Sequence, residues 1–126
     1  PKAGPFVLGA VQNKKTSERV SKADALGGKV VLASRSIENP MFKNARTATP
    51  VVLQVEADKK EVYSQELFGP IALLIKTKNT EQSVALAKEM AINHGAISCG
   101  AYTTNVNTKE LIADEMALAA TPVSFN

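Results

Sequence analysis

A carboxylate, an aromatic ring and a turn-forming pair lie within five residues in the segment Glu66-Leu67-Phe68-Gly69-Pro70. A carboxylate accepts two hydrogen bonds from a vicinal diol such as a ribose, and an aromatic ring lies well against a flat heterocycle. The segment directly precedes the apolar run 71–75, so it is predicted near one end of a sheet, where binding residues often occur. The alternative is an ordinary loop, with Glu66 solvated and Phe68 packed into the core.

Cys99 is the only cysteine of the chain and His94 its only histidine. A catalytic cysteine needs a neighbouring cation, a helix N-terminus or a histidine base to form its thiolate. Cys99 is predicted in mid-strand, which favours a buried and inert side chain. His94 is predicted at a helix C-terminus, where the helix dipole favours a capping role. A Cys99–His94 dyad is the catalytic alternative.

Neither a metal site nor a glycine-rich phosphate loop is visible in the sequence. One cysteine and one histidine cannot form a closed zinc site, and no acidic cluster has the spacing of a calcium loop. Gly95 and Gly100 are separated by Ala-Ile-Ser-Cys, which fits neither the dinucleotide fingerprint nor a P-loop. We therefore expect no metal, and any nucleotide must be held by other groups.

Composition indicates one ordinary globular domain. The chain has 126 residues, of which 44% are hydrophobic and 21% charged, enough for a single core. The longest apolar run, 71–75, is far shorter than the roughly 20 residues that span a bilayer. Residues 1–5 show no signal-peptide pattern, and a lone cysteine suits a reducing compartment, so a cytoplasmic location without membrane contact is expected.

The charge pattern argues against nucleic acid as a partner. The net charge of +3 comes from 15 basic and 12 acidic residues scattered along the chain, and there are only 4 Phe and 2 Tyr. Nucleic-acid binding favours clustered Lys and Arg with stacking aromatic rings. The basic residues are therefore interpreted as a solvated surface.

The apolar periodicity predicts strands separated by helices. One helix is capped by Thr16 or Ser17 and stopped by Gly27-Gly28, one begins near Asn79-Thr80, and one is capped by Asn107 with Glu110 completing a capping box. The predicted strands, of which the first is expected to be buried, are 29–33, 51–55, 71–75, 96–102 and 123–125.

These elements indicate an α/β fold. Strands that are apolar on both faces and separated by helices are typical of a parallel sheet, mixed at its edge, with flanking helices. The strand 71–75, the helix 81–93 and the strand 96–102 are predicted to form one βαβ unit. We expect one domain over residues 1–126.

The segment Glu66-Leu67-Phe68-Gly69-Pro70 resembles the E-x-F-G-P motif of the aldehyde dehydrogenase superfamily. The order of a Thr-Pro-led strand at 49–53, the motif, a strand, an alanine-rich helix and a Gly-led strand is also similar, from Gly9 to the end of the chain. Within the superfamily the chain is most similar to PaaN-type phenylacetic acid degradation proteins, in the residues at 42–50, 68–72, 94–96 and 102–104.

The resemblance implies part of an enzyme that oxidises an aldehyde to an acid with NAD or NADP through a cysteine thiohemiacetal. By motif match, Glu66 would hold the hydroxyls of the nicotinamide ribose, and Phe68 would pack beside the nicotinamide. Gly69 and Pro70 would shape the turn that presents both. The resemblance also implies a small aldehyde substrate, turned over only in the longer parent enzyme, which is expected to be a homo-oligomer.

The family's nucleophile, glutamate base, oxyanion asparagine and Rossmann domain belong to segments upstream of this sequence, and Cys99 does not match the nucleophile. The chain is therefore expected to be a C-terminal portion of an aldehyde dehydrogenase catalytic domain, inactive by itself and without catalytic residues. Two alternatives stay open: a complete α/β module that binds or scaffolds without catalysis, and a small Cys99-dependent enzyme.

Overall fold

The computed structural model describes residues 8–11 and 13–126, and the chain divides into two units between Lys76 and Thr77. Residues 1–5, on which the expectation of no signal peptide rests, lie outside the described residues. None of the helices in the described ranges has both the length and the apolar character that crossing a bilayer requires.

In the described part of the first unit, the core contains a central strand that is hydrogen-bonded to a neighbouring strand on each side. Its elements are, in chain order, α1 (Lys14–Ser21), a 3₁₀ helix (Ala23–Leu26), β1 (Lys29–Leu32), β2 (Ser36–Ile37), β3 (Thr47–Ala48), β4 (Val51–Glu56), α2 (Lys60–Tyr63) and β5 (Ile71–Lys76). β4 lies between an antiparallel β1 and a parallel β5, and β2 pairs with β3. The alternate residues Val51, Leu53 and Val55 of β4 are buried, as the period of two in a strand requires.

The second unit consists of two helices and a pair of short strands. They are α3 (Thr80–His94), β6 (Cys99–Ala101), α4 (Val106–Leu118) and β7 (Val123–Phe125). β6 and β7 run parallel, with Cys99 opposite Val123 and Ala101 opposite Phe125. Met116 of α4 and Val84 of α3 are buried. An ion pair also joins the two helices, with Nζ of Lys88 at 2.6 Å from Oε2 of Glu115.

The α/β fold class is confirmed, but the predicted βαβ unit is wrong in its pairing. Within the described residues β5 pairs with β4, and β6 pairs with β7, so β5 and β6 belong to different sheets. The parallel crossovers connect β4 to β5 and β6 to β7. Periodicity identifies which residues form strands, but the choice of neighbour depends on contacts between distant segments.

The first predicted strand forms, but it is not buried. All four residues of β1 are exposed, and the register with β4 shifts between Val30 and Leu32, as in a β-bulge. β1 has a neighbouring strand on one side only among the described strands. The apolar residues 30–32 predict a strand whose side chains favour burial, but the sequence does not show which residues would cover them.

Two of the three predicted helix caps are shifted. The amide of Thr16 donates to the Asn13 side chain at 3.0 Å, so Asn13 caps α1 instead of Thr16 or Ser17. Asn105, not Asn107, caps α4 by accepting from the Thr108 amide at 3.0 Å. The third cap is as expected, because the Asn79 side chain accepts from the Gln82 amide at 2.9 Å. Asn, Ser and Thr are all favoured as N-caps, so the sequence alone does not decide between such residues at nearby positions.

The helix ends differ from the prediction at one place and match it at two. The first helix does not continue to Leu26, because α1 ends at Ser21 and a separate 3₁₀ helix follows. Gly27 ends that 3₁₀ helix in the left-handed region, at the predicted stop. α3 likewise ends at His94, directly before Gly95, as predicted.

Candidate functional site

The candidate site is the loop of residues 65–70, which leads from α2 into β5. β4 and β5 are parallel, with Val51 opposite Ile71, so this loop lies at the amino ends of both strands. The Val51 amide donates to the Pro70 carbonyl at 2.9 Å, which ties the loop to the first residue of β4. This is the opposite edge from the carboxyl ends where open parallel sheets usually bind ligands.

Helix α1 supports the main chain of the 65–70 loop. Nη1 of Arg19 donates a hydrogen bond to the carbonyl oxygen of Phe68 at 2.5 Å. Gly69 has φ +141°, and a Cβ atom at this position would lie 3.2 Å from Cγ2 of Thr16 and 3.3 Å from Cγ2 of Val20. The loop backbone therefore lies directly against the helix, so close that a side chain at Gly69 would require the methyl groups of Thr16 and Val20 to shift.

The side chains of Glu66 and Phe68 point away from the core. Phe68 is 63% exposed, so the alternative in which its ring packs into the core is wrong. Glu66 is exposed and has no hydrogen bond or ion pair with the described residues. An exposed aromatic ring two residues from an exposed carboxylate is available for a ligand, because neither side chain is buried in the part of the chain that the structure describes. Their predicted roles in cofactor binding stay predictions.

A cleft of about 340 Å³ adjoins the ring of Phe68 in the first unit. It is lined by residues 8–11, Thr16, Ala48 and residues 68–70. Its walls are mostly aliphatic and glycine backbone, which suits a flat or apolar group better than a charged one. Phe68, Gly69 and Pro70 of the loop are thus themselves part of the wall of this cleft.

Cys99 and His94 occupy different places in the second unit. Cys99 is half-buried in β6, and its amide donates to the Pro122 carbonyl at 2.8 Å. It lines a cleft of about 740 Å³ together with residues of the first half of α3 and with Thr108, Ile112 and Met116 along α4. His94 is exposed at the carboxyl end of α3 and does not line this cleft. The structure therefore gives no support to the Cys99–His94 dyad.

The acidic residues, Cys99 and His94 do not gather into a metal site in the part of the chain that the structure describes. No three His, Cys, Asp or Glu side chains come together there. Because no such cluster includes Glu66, the chemistry open to its carboxylate within these residues is to accept hydrogen bonds.

Sequence reasoning missed the contribution of α1 to the site. Thr16, Arg19 and Val20 have the spacing of residues that share one helix face. On that face Arg19 donates a hydrogen bond to the Phe68 carbonyl, and methyl groups of Thr16 and Val20 lie 3.2 and 3.3 Å from the place that a Cβ atom of Gly69 would take. The helical spacing was the available signal, but nothing in the sequence indicates that this face meets a loop so distant in the chain.

The chain is similar in sequence to known dehydrogenases. The profile of the aldehyde dehydrogenase family matches residues 2–126. A probable methylmalonate-semialdehyde/malonate-semialdehyde dehydrogenase [acylating] of Aedes aegypti is 25% identical over 90% of this chain and 21% of its own length. An alpha-ketoglutaric semialdehyde dehydrogenase of Bacillus subtilis (strain 168) is 21% identical over 77% of this chain and 19% of its own length.

Solved structures agree with the family profile. The crystal structure of an NAD-dependent aldehyde dehydrogenase from Burkholderia multivorans matches with a TM-score of 0.90 and 36% identity, over 94% of this chain and 21% of that one. A structure from Sinorhizobium meliloti 1021, assigned as a methylmalonate-semialdehyde dehydrogenase and complexed with NAD, shares the fold with a TM-score of 0.58 and 20% identity, over 83% of this chain and 22% of that one.

The chain spans about one fifth of the length of the curated relatives it matches. None of the relatives named above is a phenylacetic acid degradation protein, so the PaaN-type resemblance gains no support from them. The family profile nevertheless covers nearly every residue, and the fold agrees with that of a solved member. The chain belongs to the aldehyde dehydrogenase family.

Proposed function

We propose that this chain is part of the catalytic domain of an NAD- or NADP-dependent aldehyde dehydrogenase, and that its 65–70 loop holds the nicotinamide end of the cofactor. The carboxylate of Glu66 accepts hydrogen bonds from the two ribose hydroxyls, and the ring of Phe68 packs beside the nicotinamide. The observation that carries this proposal is the exposure of both side chains on a loop whose backbone is held by α1.

The residues present fit such a group. Glu66 has no partner among the described residues, so both of its oxygens are available to a diol. A charged acceptor makes shorter and stronger hydrogen bonds than a neutral one, and two such bonds fix the direction of the ribose. When bound, the nicotinamide supplies the hydride acceptor of the oxidation. This chain supplies its orientation, and precise orientation of reacting groups contributes strongly to rate.

The remaining catalytic groups are proposed to lie in the rest of the parent enzyme. In this proposal Cys99 is not the nucleophile, because it lies outside the motif that the resemblance identifies and lines a different cleft from that beside Phe68. The isolated chain is therefore expected to be inactive. Its alternative role as a small Cys99-dependent enzyme would require rapid alkylation of Cys99 at neutral pH.

Exposed apolar side chains favour a fragment over a complete binding module. Val31 and Leu32 of β1 are about half exposed, and Ile97 and Tyr102 beside β6 are almost fully exposed. Large exposed apolar side chains are typical of surfaces that meet other parts of a protein. An intact mass of the native gene product near 50 kDa or above, beyond the size of a usual single domain, supports the fragment, whereas a mass near 13.4 kDa supports the stand-alone module.

We further propose a semialdehyde as the substrate of the parent enzyme. Two relatives, from Aedes aegypti and Bacillus subtilis, are named as semialdehyde dehydrogenases. A ring-cleavage semialdehyde carried on coenzyme A, which the PaaN-type resemblance implies, is a finer version that rests on that resemblance alone. A homo-oligomeric parent and a cytoplasmic location are likewise proposals, and the Aedes aegypti relative is named as mitochondrial.

The test is Glu66→Gln in the full-length enzyme, with Glu61→Gln on α2 as a matched control. Both substitutions remove one exposed carboxylate, but only Glu66 is in the 65–70 loop. We expect Glu66→Gln to lower kcat about tenfold or more and to raise the kinetic isotope effect of a deuterated aldehyde, because a misplaced nicotinamide slows hydride transfer. Glu61→Gln should behave as the wild type. Unchanged kcat and unchanged KM for the cofactor in Glu66→Gln would contradict the proposal.

A further inference from the structure

We propose that Arg19 is a positioning residue for the cofactor: it holds the 65–70 loop in the conformation that presents Glu66 and Phe68. This inference rests on the proposed function of that loop. Arg19 belongs to α1 and is assigned no contact with substrate or cofactor. It acts through the backbone of Phe68.

The hydrogen bond from Arg19 is the first observation. Nη1 of Arg19 donates to the Phe68 carbonyl at 2.5 Å and so connects two segments that lie 49 positions apart. A guanidinium is a planar group with several fixed donors, and it holds an acceptor in a defined direction. Fixing the Phe68 carbonyl fixes the peptide plane between Phe68 and Gly69, and with it the direction in which the Phe68 ring leaves the backbone.

Packing at the next residue is an independent observation on the same helix face. Thr16 and Val20 lie so close to Gly69 that a Cβ there would be 3.2 and 3.3 Å from their methyl groups. Val20 is buried at 5% exposure, so this face of α1 is anchored in the core. The backbone of Arg19 is therefore held in place by its packed neighbour, and its hydrogen bond to the Phe68 carbonyl restrains the position of the loop.

The arrangement explains how an exposed loop can hold a defined shape. On the far side, the Pro70 carbonyl accepts from the Val51 amide, and the Ile71 amide donates to the Gly69 carbonyl at 2.8 Å. These bonds fix the end of the loop at β5. At Phe68, by contrast, the support of the carbonyl is the bond from Arg19. Loss of that bond leaves the peptide group between Phe68 and Gly69 free to rotate, while the hydrogen bonds at Pro70 and Ile71 still hold the start of β5.

The experiment compares Arg19→Met, Arg19→Lys and the control Lys15→Met in the full-length enzyme. Methionine keeps much of the alkyl stem of Arg19 but has no donor, and lysine keeps a charge and a donor. Lys15→Met removes one exposed positive charge from the same helix. The readouts are kcat and KM for the cofactor, together with hydrogen exchange of the amides of residues 66–69.

We expect Arg19→Met to lower kcat by between about 10- and 100-fold, as a misplacement of reacting groups does, and to speed amide exchange in the loop. Arg19→Lys should restore part of both, and Lys15→Met should change neither. Equal thermal unfolding midpoints of the three variants exclude a loss of folding. Wild-type kinetics and exchange in Arg19→Met overturn the inference.

Glu66→Gln measured in parallel separates the two proposals. An impaired Glu66→Gln with a wild-type Arg19→Met overturns the positioning role and leaves the proposed function intact. Wild-type kinetics in Glu66→Gln overturn the proposed function and the positioning role with it. Impairment of both variants, with partial recovery in Arg19→Lys, supports both.

Discussion

Thr16 and Gly69 lie so close that a Cβ atom on Gly69 would be 3.2 Å from Cγ2 of Thr16. Because Gly69 also has φ +141°, a side chain at this position would have both a strained backbone and a contact so tight that the Thr16 methyl group would have to shift. The E-x-F-G-P glycine is thus explained by the contact between α1 and the 65–70 loop. The backbone conformation of Gly69 and its closeness to Thr16 are therefore a physical reason for the glycine of the E-x-F-G-P motif.

Gly69→Ala is expected to destabilise the chain by about 2–4 kcal/mol, from strain and overpacking together. The free energy of unfolding in urea measures the loss. Gly95→Ala is the control, because Gly95 also has positive φ, +78°, but apart from its chain neighbours no described residue has an atom within 4 Å of the place that its Cβ would take. It should show the strain alone, and an equal loss in both variants would contradict the contact.

Asn105, and not Asn107, is expected to control the stability of α4. Asn105→Ala should cost about 1 kcal/mol of unfolding free energy, because the Thr108 amide loses its acceptor. Asn107→Ala should cost much less, since Asn107 lies inside the first turn of the helix and is exposed. The two variants are compared by urea unfolding and by hydrogen exchange of the Thr108 amide. A greater loss in Asn107→Ala would mean that the cap is at Asn107.

Thr47→Val is expected to be neutral or stabilising by up to about 1 kcal/mol, because it removes a buried hydroxyl that is desolvated without gaining a hydrogen bond. Thr47 Oγ1 has no hydrogen-bond partner within the described structure. The matched control is Thr121→Val, since the equally buried Thr121 hydroxyl donates to the Ala119 carbonyl at 3.2 Å. Unfolding in urea should show a loss for Thr121→Val, and a comparable loss for Thr47→Val would contradict the assignment.

Strand positions were predictable from the sequence where apolar runs are bounded by polar residues or turns. β7 spans Val123–Phe125 as predicted, and β4 and β5 differ from their predictions by one residue each. Strand partners were not predictable, because the pairing of β5 with β4 depends on contacts that periodicity does not describe. The exposure of β1 escaped prediction for the same reason, since an apolar run indicates what a strand prefers and not what covers it.

The candidate site was predictable in its residues but not in its support. Glu66 and Phe68 were identified from their chemistry and motif, and the structure adds that both side chains are exposed. Arg19 was not identified, because a surface arginine on a helix usually means a solvated face. Its bond to Phe68 becomes visible only when the chain is folded and α1 lies against the loop.

The role of Glu66 and Phe68 in holding the cofactor is tested most directly by a crystal structure of the full-length enzyme with its nicotinamide cofactor bound. We predict Glu66 carboxylate oxygens at hydrogen-bond distance, about 2.5–3.0 Å, from both hydroxyls of the nicotinamide ribose, with the Phe68 ring beside the nicotinamide. A nicotinamide ribose held by other side chains, with Glu66 left in solvent, would contradict that role.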